Sequence, residues 1–569
     1  MVRCPEAADD AGLTSLGEVL HFYPNVSLSH VSVSRDAAVG RVFHYASHKG
    51  QAMQSCAISA EALGRMLEAF LAESSHALAI ENGEPLFDFA TARYSVSGEG
   101  KCVLHLWSEE RNAVRRVLDA EMKSRVLRLS VLRFGQSQPT VLEICADTDC
   151  RTPTALRAIR GRYRQVFERV PLRQYPRWKL DSVSSRADLE HSCSPVYTRG
   201  LLRMGQSAFA VLGVNAEETQ PSIDAALTFA ILWMDRQREQ LAGRAHVEGL
   251  KLFLPAGRAE LVRQRIAHLN RDAAKWQLYE LDERGESCEP VDCNDSGNIV
   301  TRLVRAVNES AAHARFAASI ARMQALAPDC EAHVESPSEI VFRLHGLEFA
   351  RARMAPVTGS FRNEEVITFG LWPAEYTLDA TNETFFRDLV TRLAQHRQAH
   401  GIHGDPIFRV CPERWLESLI IRDVRAIDER LDQRFVYSQV PAFASSDRAM
   451  IDVLTCTLDG RLAILELKAD EDIHLPLQGL DYWARVRWHQ QNGGFLRNGY
   501  FAGRELSDAP PLLYLVAPAL RTHPSTDILL RYLSPRIEWS VVQVDERWRD
   551  AVRVINRKHP KQTATADLR

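Results

Sequence analysis

Three charged side chains near the end of the chain have types and a spacing that could do chemistry. Asp452 lies in the apolar run AMIDVLTC, and Glu466 and Lys468 close the run LAILELK. Side chains alternate faces along a strand, so Glu466 and Lys468 project to one side and Leu467 to the other. The turn at Leu458–Gly460 separates the two runs. We therefore predict a hairpin that brings Asp452 beside Glu466.

Two neighbouring carboxylates repel each other, and both are costly to bury unless a cation holds them. Mg²⁺, or Mn²⁺ in its place, meets this need because it prefers a few carboxylate oxygens together with water and phosphate oxygens. The backbone carbonyl of Leu467 offers a further oxygen ligand. Lys468 can then hold or help deprotonate a water molecule that attacks phosphorus. The pattern predicts metal-dependent hydrolysis of a phosphodiester bond.

Two helices are expected to complete the constellation. The segment PERWLESLI predicts a helix beginning at Pro412, and Glu417 on this helix can approach the metal as an extra ligand. A second helix begins near Pro476, after the catalytic strand. Gln478 and Tyr482 are four residues apart on it and therefore share one face. We expect this pair to contact both the substrate backbone and the strand that carries Lys468.

Taken together, these residues resemble the PD-(D/E)xK nuclease superfamily. The matching set, in chain order, is Glu417, Asp452, the tripeptide Glu466-Leu467-Lys468 and the segment from Gln478 to Tyr482. The QxxxY spacing resembles the branch that includes RecB-type nuclease domains and the NucS mismatch endonucleases. The resemblance covers roughly residues 405–544. It implies a restriction-endonuclease-like mixed sheet flanked by helices.

The resemblance also implies roles for individual residues. Asp452 and Glu466 would bind the metal, and Lys468 would activate the water. Glu417 would be the carboxylate on the leading helix, with Gln478 and Tyr482 as the supporting pair. Ile451 stands where the name-giving proline would be, and no cysteine follows Cys456 to supply the iron–sulfur cluster of some RecB-type members. No NucS-like N-terminal domain is evident, so mismatch specificity is not implied.

Arginines interleaved with aromatic residues form a candidate nucleic-acid-binding segment at 151–179. Arginine beside aromatic rings suits phosphate contact and base stacking, although a solvated helix paired with acids would have the same composition. The candidate contacts are Arg160, Arg162, Arg164, Arg173 and Arg177, with Arg485 and Arg487 on the helix after the catalytic strand.

Length and composition indicate a multidomain α/β (α+β) protein. The chain has 569 residues, a formal net charge of −3 and 45% hydrophobic residues, which is ordinary for a soluble protein. The N-terminus lacks the pattern of a secretory signal, and no apolar run reaches membrane-spanning length. The 11 cysteines are scattered and odd in number, so we expect reduced thiols, no cysteine metal site and a cytoplasmic location.

The pattern of elements predicts four segments. These are an α+β domain at 1–179 with a basic end, a small α/β domain at 180–329, a connector at 330–404 and the nuclease-like domain at 405–569. Within them we expect a strand at RVFHYAS, a helix at 109–123, a long helix at 299–326 and a final helix at ERWRDAVRVI.

The function predicted from the residues is a Mg²⁺-dependent nuclease, most simply a DNA endonuclease in repair or in defence against foreign DNA. A homodimer is compatible with this prediction, because nucleases that cut both strands often act as dimers. One alternative is a non-catalytic nucleic-acid-binding or regulatory protein that uses the fold as a platform. Another is an effector whose middle α/β domain senses a small molecule. One structural observation distinguishes the nuclease from the non-catalytic platform. A nuclease requires that one open site bring together Glu417, Asp452, Glu466 and Lys468.

Overall fold

The computed structural model describes residues 59–560, apart from the short gaps 73–76, 82–83, 90–92, 99–101, 108–111, 124–125, 134–138, 146–152, 189–193, 295–300, 357–362, 372–374, 403 and 445–446. The strand predicted at RVFHYAS lies outside these residues. The described chain forms two compact units, of which the first holds residues up to Glu260 and Gln277–Val291, and the second holds Leu261–Trp276 and the residues from Asp292 onward. Four sheets with flanking helices make this a mixed α+β multidomain protein.

The first unit begins with a seven-stranded antiparallel sheet. Its elements are helix α1 (Ala60–Ala72) and strands β1 (Leu78–Glu81), β2 (Glu84–Asp88), β3 (Arg93–Ser97), β4 (Val103–Trp107), β5 (Asn112–Lys123), β6 (Val126–Leu132) and β7 (Thr140–Cys145). The strand order is β2-β1-β7-β6-β5-β4-β3. The helix predicted at 109–123 is therefore wrong. Ala113, Val117 and Ala120 reach the core at spacings of four and three residues, which imitates a helical period, because a bulge after Val117 shifts the alternation of the strand.

A six-stranded sheet forms the rest of the first unit. Its elements are helix α2 (Pro153–Gln174), strands β8 (Lys179–Ser184), β9 (Tyr197–Met204) and β10 (Ser207–Val214), helices α3 (Gln220–Asp224) and α4 (Ala226–Gln240), and strands β11 (His246–Pro255), β12 (Lys275–Asp282) and β13 (Ser287–Val291). Tyr163 and Phe167 of the basic helix α2 are buried in the core of this sheet. Helix α2 thus packs with the second sheet and not with the first.

The second unit contains a five-stranded antiparallel sheet where we expected only a connector. It comprises helices α6 (Glu309–Arg315), α7 (Ala317–Leu326) and α8 (Glu383–His396) with strands β15 (Glu331–Ser336), β16 (Glu339–Leu344), β17 (Leu347–Pro356), β18 (Asn363–Phe369) and β19 (Tyr376–Thr377). Phe316, Phe342, Phe349, Phe369 and Phe386 fill one core between sheet and helices. Residues 330–404 therefore belong to a folded layer with its own hydrophobic core.

A seven-stranded mixed sheet carries the residues singled out in the sequence. Its strands are β14 (Thr301–Leu303), β20 (Tyr437–Ala444), β21 (Asp447–Cys456), β22 (Leu462–Leu467), β23 (Leu512–Pro518), β24 (Trp539–Val544) and β25 (Val554–Lys558), with helices α9 (Pro406–Arg409), α10 (Pro412–Arg422), α11 (Leu475–Gln491), α12 (Gly494–Arg497) and α13 (Thr526–Arg531). The order is β14-β20-β21-β22-β23-β24-β25. Strands β22, β23 and β24 are parallel, and their other neighbours are antiparallel.

Two predicted helices are partly replaced by strands at this sheet. Residues 301–303 pair with β20, and the side chain of Asn308 then caps α6 by accepting the amide hydrogen of Ala311 at 3.0 Å. The last predicted helix is also wrong, because Asp545 accepts the amide hydrogen of Arg547 at 2.8 Å in a turn and the following residues pair with β24. Both strands lie at sheet edges, where pairing overrides a helical pattern.

A segment from the middle of the chain packs against the helices of this sheet. Helix α5 (Glu260–Ala267) and the residues after it lie against α11 and α13. Leu269 forms a β-bridge with Leu533, and the amide of Asn270 donates to the carbonyl of Tyr532 at 2.8 Å. The sheet at the end of the chain therefore includes a piece of the predicted middle domain. None of the helices in the described residues is long and apolar enough to span a membrane.

Gly346 holds the turn between β16 and β17 against the start of α10. Its φ is +75°, and a Cβ there would lie 2.1 Å from the carbonyl oxygen of Arg414. We expect Gly346→Ala to lower the free energy of unfolding by about 2–4 kcal/mol, from the left-handed backbone and the clash together. Chemical denaturation would measure this loss. Gly404→Ala, where a Cβ meets no atom within 4 Å, is the matched control and should be nearly neutral.

Candidate active site

The end of β22 presents its charged residues to the face covered by α11. Leu465 and Leu467 belong to the core under α10, with Trp415 and Leu416. Side chains alternate along a strand, so Glu466 projects to the opposite face. Glu466 is 2% exposed, and Lys468 Nζ lies 3.5 Å from its Oε1. The predicted same-side placement of Glu466 and Lys468 is thus observed.

Asp452 lies where β21 separates from β22. The last pair of the antiparallel ladder is Val453 with Leu465, so the next positions in register are Asp452 and Glu466. Asp452 Oδ2 accepts the backbone amide hydrogen of Leu467 at 2.9 Å. This bond replaces the missing ladder contact and fixes the carboxylate beside the end of β22. The hairpin therefore brings Asp452 to the position that the sequence predicts.

Gln439 on β20 joins the two carboxylates that come from different elements. Its Nε2 donates to Glu417 Oε2 at 2.9 Å and to Asp452 Oδ1 at 3.3 Å. The residue has a φ of +48°, which is costly for a non-glycine side chain, and the pairing of β20 with β21 is interrupted at this position. The sequence analysis missed this residue. The only signal was an amide within the strand-like run RFVYSQV.

Glu417 reaches the site from α10 in a nearly closed environment. It is 4% exposed, and its Oε2 also accepts from Arg414 Nη1 at 3.1 Å. Its Oε1 is buried without a hydrogen-bond partner. Burial raises the pKa of this carboxyl to about 7, and the charge of Asp452 adds to the rise, while Arg414 and the Gln439 hydrogen bond oppose it. Glu417 is thus poised to change charge near neutral pH.

Glu466 and Lys468 form the charged core of the site. Burial raises the pKa of Glu466 well above its ordinary value, with a further rise from Asp452, and its Oε2 has no hydrogen-bond partner. For Lys468, burial alone would lower the pKa, but Glu466, Glu413 and Asp472 outweigh it and raise the pKa. Lys468 Nζ lies 3.9 Å from Glu413 Oε1 and 3.7 Å from Asp472 Oδ2. The lysine is therefore cationic at neutral pH.

The QxxxY pair on α11 faces the same centre. Gly479 lets the helix approach the sheet, because a Cβ there would lie 2.6 Å from Leu515 Cδ2 on β23. Gln478 Oε1 is buried without a hydrogen-bond partner. Burial raises the pKa of Tyr482, and the negative charges of Glu466 and Asp452 raise it further. Tyr482 is thus a protonated hydroxyl near Glu466 and Asp452, and Gln478 holds a buried acceptor one helical turn before it.

A buried ion pair anchors the outer side of α11. Arg265 of α5 donates to both carboxylate oxygens of Asp481, at 2.9 and 2.7 Å, and the two side chains are 9% and 13% exposed. Asp481 directly precedes Tyr482. The sequence analysis missed this contact because 216 residues separate the partners. Arg265 therefore helps to set the position of the helix that carries the QxxxY pair.

The described residues contain no ready-made group of three or more histidine, cysteine or acidic side chains that could hold a metal ion. The donor chemistry nevertheless suits Mg²⁺ or Mn²⁺. Glu417 Oε1 and Glu466 Oε2 are buried oxygens with unused lone pairs, and such atoms are costly without a partner. Asp452 Oδ1 accepts one hydrogen bond from Gln439 and keeps a lone pair for a metal. Asp452, Glu466, Glu417 and the carbonyl of Leu467 remain the candidate ligands.

The predicted nucleic-acid contacts are more dispersed than the catalytic set. Arg162 and Arg164 on α2 are exposed, and so is Arg177 in the turn after this helix. Arg160 is tied to Glu218 at 2.7 Å, and Arg173 to Glu286 at 2.7 Å.

The aromatic residues of this segment do not form a stacking surface. Tyr163 and Phe167 are buried in the core of the second sheet, so they cannot stack on bases. On α11, Arg485 is 4% exposed, and Arg487 Nη1 donates to Gln490 Oε1 and to the carbonyl of Asp508, both at 2.8 Å. These two arginines support the helix and do not present a free guanidinium to phosphate.

The cysteines are free thiols, as expected, wherever the structure describes them. Cys145 and Cys288 are buried, and Cys102 and Cys456 are buried as well. Burial raises the pKa of the Cys456 thiol to about 11. Cys150 and Cys193 lie outside the described residues.

The raised pKa of Glu417 predicts a pH-dependent stability. Its ordinary value is 4.5, so the folded protein holds a proton that the unfolded chain has already lost between about pH 4.5 and 7. This group therefore favours folding at low pH, and the contribution is lost as pH rises through that window. In EDTA, the free energy of unfolding of Glu417→Gln should rise relative to that of the wild type as pH increases from 4.5 to 7. The expected difference is up to about 3 kcal/mol.

Denaturation curves at several pH values would measure the difference between wild type and Glu417→Gln. The exposed Glu429→Gln is the control for the change from carboxylate to amide. A difference that stays constant with pH would show that Glu417 does not titrate in this range.

Neither a scan against models of known protein families nor a search of curated proteins finds a match to this chain. The candidate site therefore rests on its own geometry: three carboxylates, a lysine and two glutamines at the point where β21 leaves β22.

Proposed function

We propose that the second unit is a metal-dependent nuclease, most simply a DNA endonuclease, built on a restriction-endonuclease-like fold. The observation that carries the proposal is the convergence of Glu417, Asp452, Glu466 and Lys468 from a helix and two strands. Buried carboxylates are rarely placed together unless a cation joins them. A lysine next to such a group is the arrangement that phosphodiester hydrolysis needs.

The order of elements supports the same proposal. Helix α10 precedes the antiparallel strands β20, β21 and β22, and helix α11 then leads to the parallel strand β23. A mixed sheet flanked by helices is the architecture that the resemblance implies. The site lies at the end of the central strand, where the pairing of β21 and β22 ends.

The chain's own residues have distinct tasks in this proposal. Asp452 and Glu466 would hold Mg²⁺ or Mn²⁺, with Glu417 and the Leu467 carbonyl as further oxygen donors. When bound, the ion would lower the pKa of water and stabilise negative charge on phosphate oxygens. Lys468 orients the attacking water and faces the developing charge on phosphorus. Water adds to phosphorus and the bond to the 3′ oxygen breaks, which leaves a 3′-hydroxyl and a 5′-phosphate.

A substrate panel tests the proposal directly. Circular, linear, branched and single-stranded DNA, and RNA, would be incubated with the protein in Mg²⁺, in Mn²⁺ and in EDTA. We expect cutting that requires the metal and is lost in Asp452→Ala. Asp508→Asn removes an exposed carboxylate of the same unit and should cut like the wild type. Cutting that continues in EDTA or in Asp452→Ala would contradict the proposal.

Glu466→Gln should be more stable than the wild type without metal, but it should not be stabilised further by Mn²⁺. Without metal the variant should unfold at a higher temperature than the wild type, because a neutral amide of the same shape replaces a buried carboxylate. In Mn²⁺ the wild type should gain stability and the variant should not. Cutting should also be lost. If Mn²⁺ stabilises both proteins equally, Glu466 is not a metal ligand.

One observation favours a non-catalytic platform as the second candidate. Asp452 already uses both oxygens, one for Gln439 and one for the Leu467 amide, so the site is satisfied there without a metal. A nucleic-acid-binding protein with this site would cut nothing under any condition, and its binding would be the same in wild type and Asp452→Ala. The substrate panel distinguishes this outcome from the nuclease.

A further inference from the structure

A cavity of about 320 Å³ adjoins the candidate active site in the second unit. Strands β16, β17 and β18 and the start of α10 form its walls. The side chains that line it include Arg343, Phe349, Arg351, Thr368, Glu375 and Arg414. Its size is that of a small-ligand pocket and far less than a nucleic-acid duplex needs.

Arg351 is the cation that faces three acidic groups at the cavity. Arg351 Nη1 contacts Glu339 Oε1 at 2.9 Å, and its Nε donates to Glu348 Oε1 at 3.0 Å. The same Nε lies 3.6 Å from Glu375 Oε1, which also accepts from Thr368 Oγ1 at 2.9 Å. The lining as a whole holds three arginines and two glutamates, which leaves one net positive charge for an anionic ligand.

Arg343 is the group that most needs a ligand. Its side chain is 14% exposed, and it forms an ion pair with Glu335, with Nη2 and Oε2 3.7 Å apart. This distance is too long for a hydrogen bond, and the Glu335 side chain is 55% exposed, so the pair is weak. Burial lowers the pKa of Arg343 and the like charge of Arg414 lowers it further, while Glu417, Glu335 and Glu348 oppose the fall without outweighing it. A guanidinium in this setting is stabilised by an anion.

Arg414 connects the cavity with the catalytic residues. Its Nη1 donates to Glu417 Oε2 at 3.1 Å, which uses one of the five N–H donors of the guanidinium, and the side chain is 38% exposed. Glu417 is linked through Gln439 to Asp452. An anion between Arg343 and Arg414 would thus lie next to the place where a strand is cut.

We propose that this cavity binds one phosphorylated nucleotide at the end of a single strand, with its terminal phosphate between Arg343 and Arg414. Planar guanidinium groups match phosphate oxygens in pairs, and a terminal phosphate carries more charge than one within the strand. The volume admits one nucleotide unit. The inference rests on the proposed nuclease and gives it a substrate class: strands with a phosphorylated end near the cut.

Binding in EDTA tests the pocket without any cutting. The ligands are a short single-stranded oligonucleotide with a phosphate at the 5′ end, at the 3′ end or at neither, and a free nucleoside monophosphate. One phosphorylated oligonucleotide should bind about tenfold more tightly than the unphosphorylated one, as charge-assisted hydrogen bonds would give. Arg343→Gln should abolish this preference. Arg353→Gln, at an exposed position of β17, should keep it.

Several results would overturn the inference. Equal binding of phosphorylated and unphosphorylated strands removes the phosphate site. A free nucleoside monophosphate that binds as tightly as the oligonucleotide overturns the assignment to a strand end. Arg343→Lys guards against a folding defect in the glutamine variant, since a point charge should keep part of the preference. If the lysine variant has the wild-type melting temperature and shows no preference for the phosphorylated strand, the charge at position 343 does not bind the phosphate.

The two proposals fail in different ways. A phosphate preference in EDTA with no cutting in any metal would support the pocket and contradict the nuclease. Metal-dependent cutting that is indifferent to end phosphates and to Arg343→Gln would support the nuclease and overturn the pocket.

Discussion

Replacing Lys468 with methionine should reduce metal-dependent cutting by about 10²- to 10⁴-fold, the range of a group that moves or orients a proton at the reacting centre. Methionine keeps the length of the side chain and removes the charge. Because Lys468 is not a proposed metal ligand, Mn²⁺ should still raise the melting temperature of the variant. Single-turnover cutting and thermal unfolding, with and without Mn²⁺, measure the two effects separately.

Lys558→Met is the matched control for this prediction. Its ammonium lies 2.8 Å from Asp527 Oδ2, and both side chains are more than a third exposed, so the change should leave cutting unaltered. If Lys468→Met loses its response to Mn²⁺ together with its activity, the lysine is needed to build the site. If it cuts at the wild-type rate, Lys468 has no catalytic role.

Arg397→Met should be among the most destabilising single substitutions in the second unit, by about 3–5 kcal/mol. The side chain is fully buried and donates to four backbone carbonyls, those of His345, Ile407, Val410 and Cys411. Its guanidinium also lies over the Trp415 ring, 4.7 Å from the centroid. Methionine would leave buried carbonyls without a donor. Denaturant unfolding would measure the change in free energy.

Arg392→Met on the same helix separates this effect from the loss of any arginine. Arg392 Nε lies 2.9 Å from Asp388 Oδ2, and the two side chains are 47% and 50% exposed, so we expect a change below about 1 kcal/mol. Equal stability of Arg397→Met and the wild type would mean that water replaces the guanidinium. Because Arg397 supports the start of α10, a destabilised variant should also cut more slowly at temperatures where it remains folded.

The positions of the candidate carboxylates could be predicted because local patterns carry them. Asp452 and Glu466 interrupt apolar runs that are otherwise wholly suited to a sheet interior, and a charge in such a run needs a reason. The turn at Leu458–Gly460 is also local, and it fixes which residues of the two strands face each other. A strand period of two then places Glu466 and Lys468 together.

The supporting residues could not be predicted, because their partners are distant along the chain. Gln439 is an ordinary amide until β20 and β21 pair and bring it to Glu417 and Asp452. Arg265 belongs to a helix whose pattern indicates only a buried face. The role proposed for Arg343 depends on the packing of the turn at Gly346 against α10. In each case, the informative contact depends on tertiary packing and not on spacing.

Edge strands were the other source of error. Residues 301–303 and 554–558 pair with a single neighbour each, so half of their backbone groups are satisfied elsewhere and their sequences need no strong strand pattern. Strand β5 failed for a different reason, since its bulge shifted the alternation. Sequence periods thus describe central, regular elements better than edges and irregular strands.

The docking of Leu261–Trp276 on the last sheet also has a consequence during synthesis of the protein. Leu269 and Asn270 leave the ribosome long before their partners Leu533 and Tyr532 exist. At typical bacterial and eukaryotic translation rates the interval is on the order of tens of seconds. For that time the apolar surface of this segment has no native partner, and the second unit cannot be completed until nearly the whole chain has been made. We therefore expect nascent chains that stop before Leu533 to depend on chaperones.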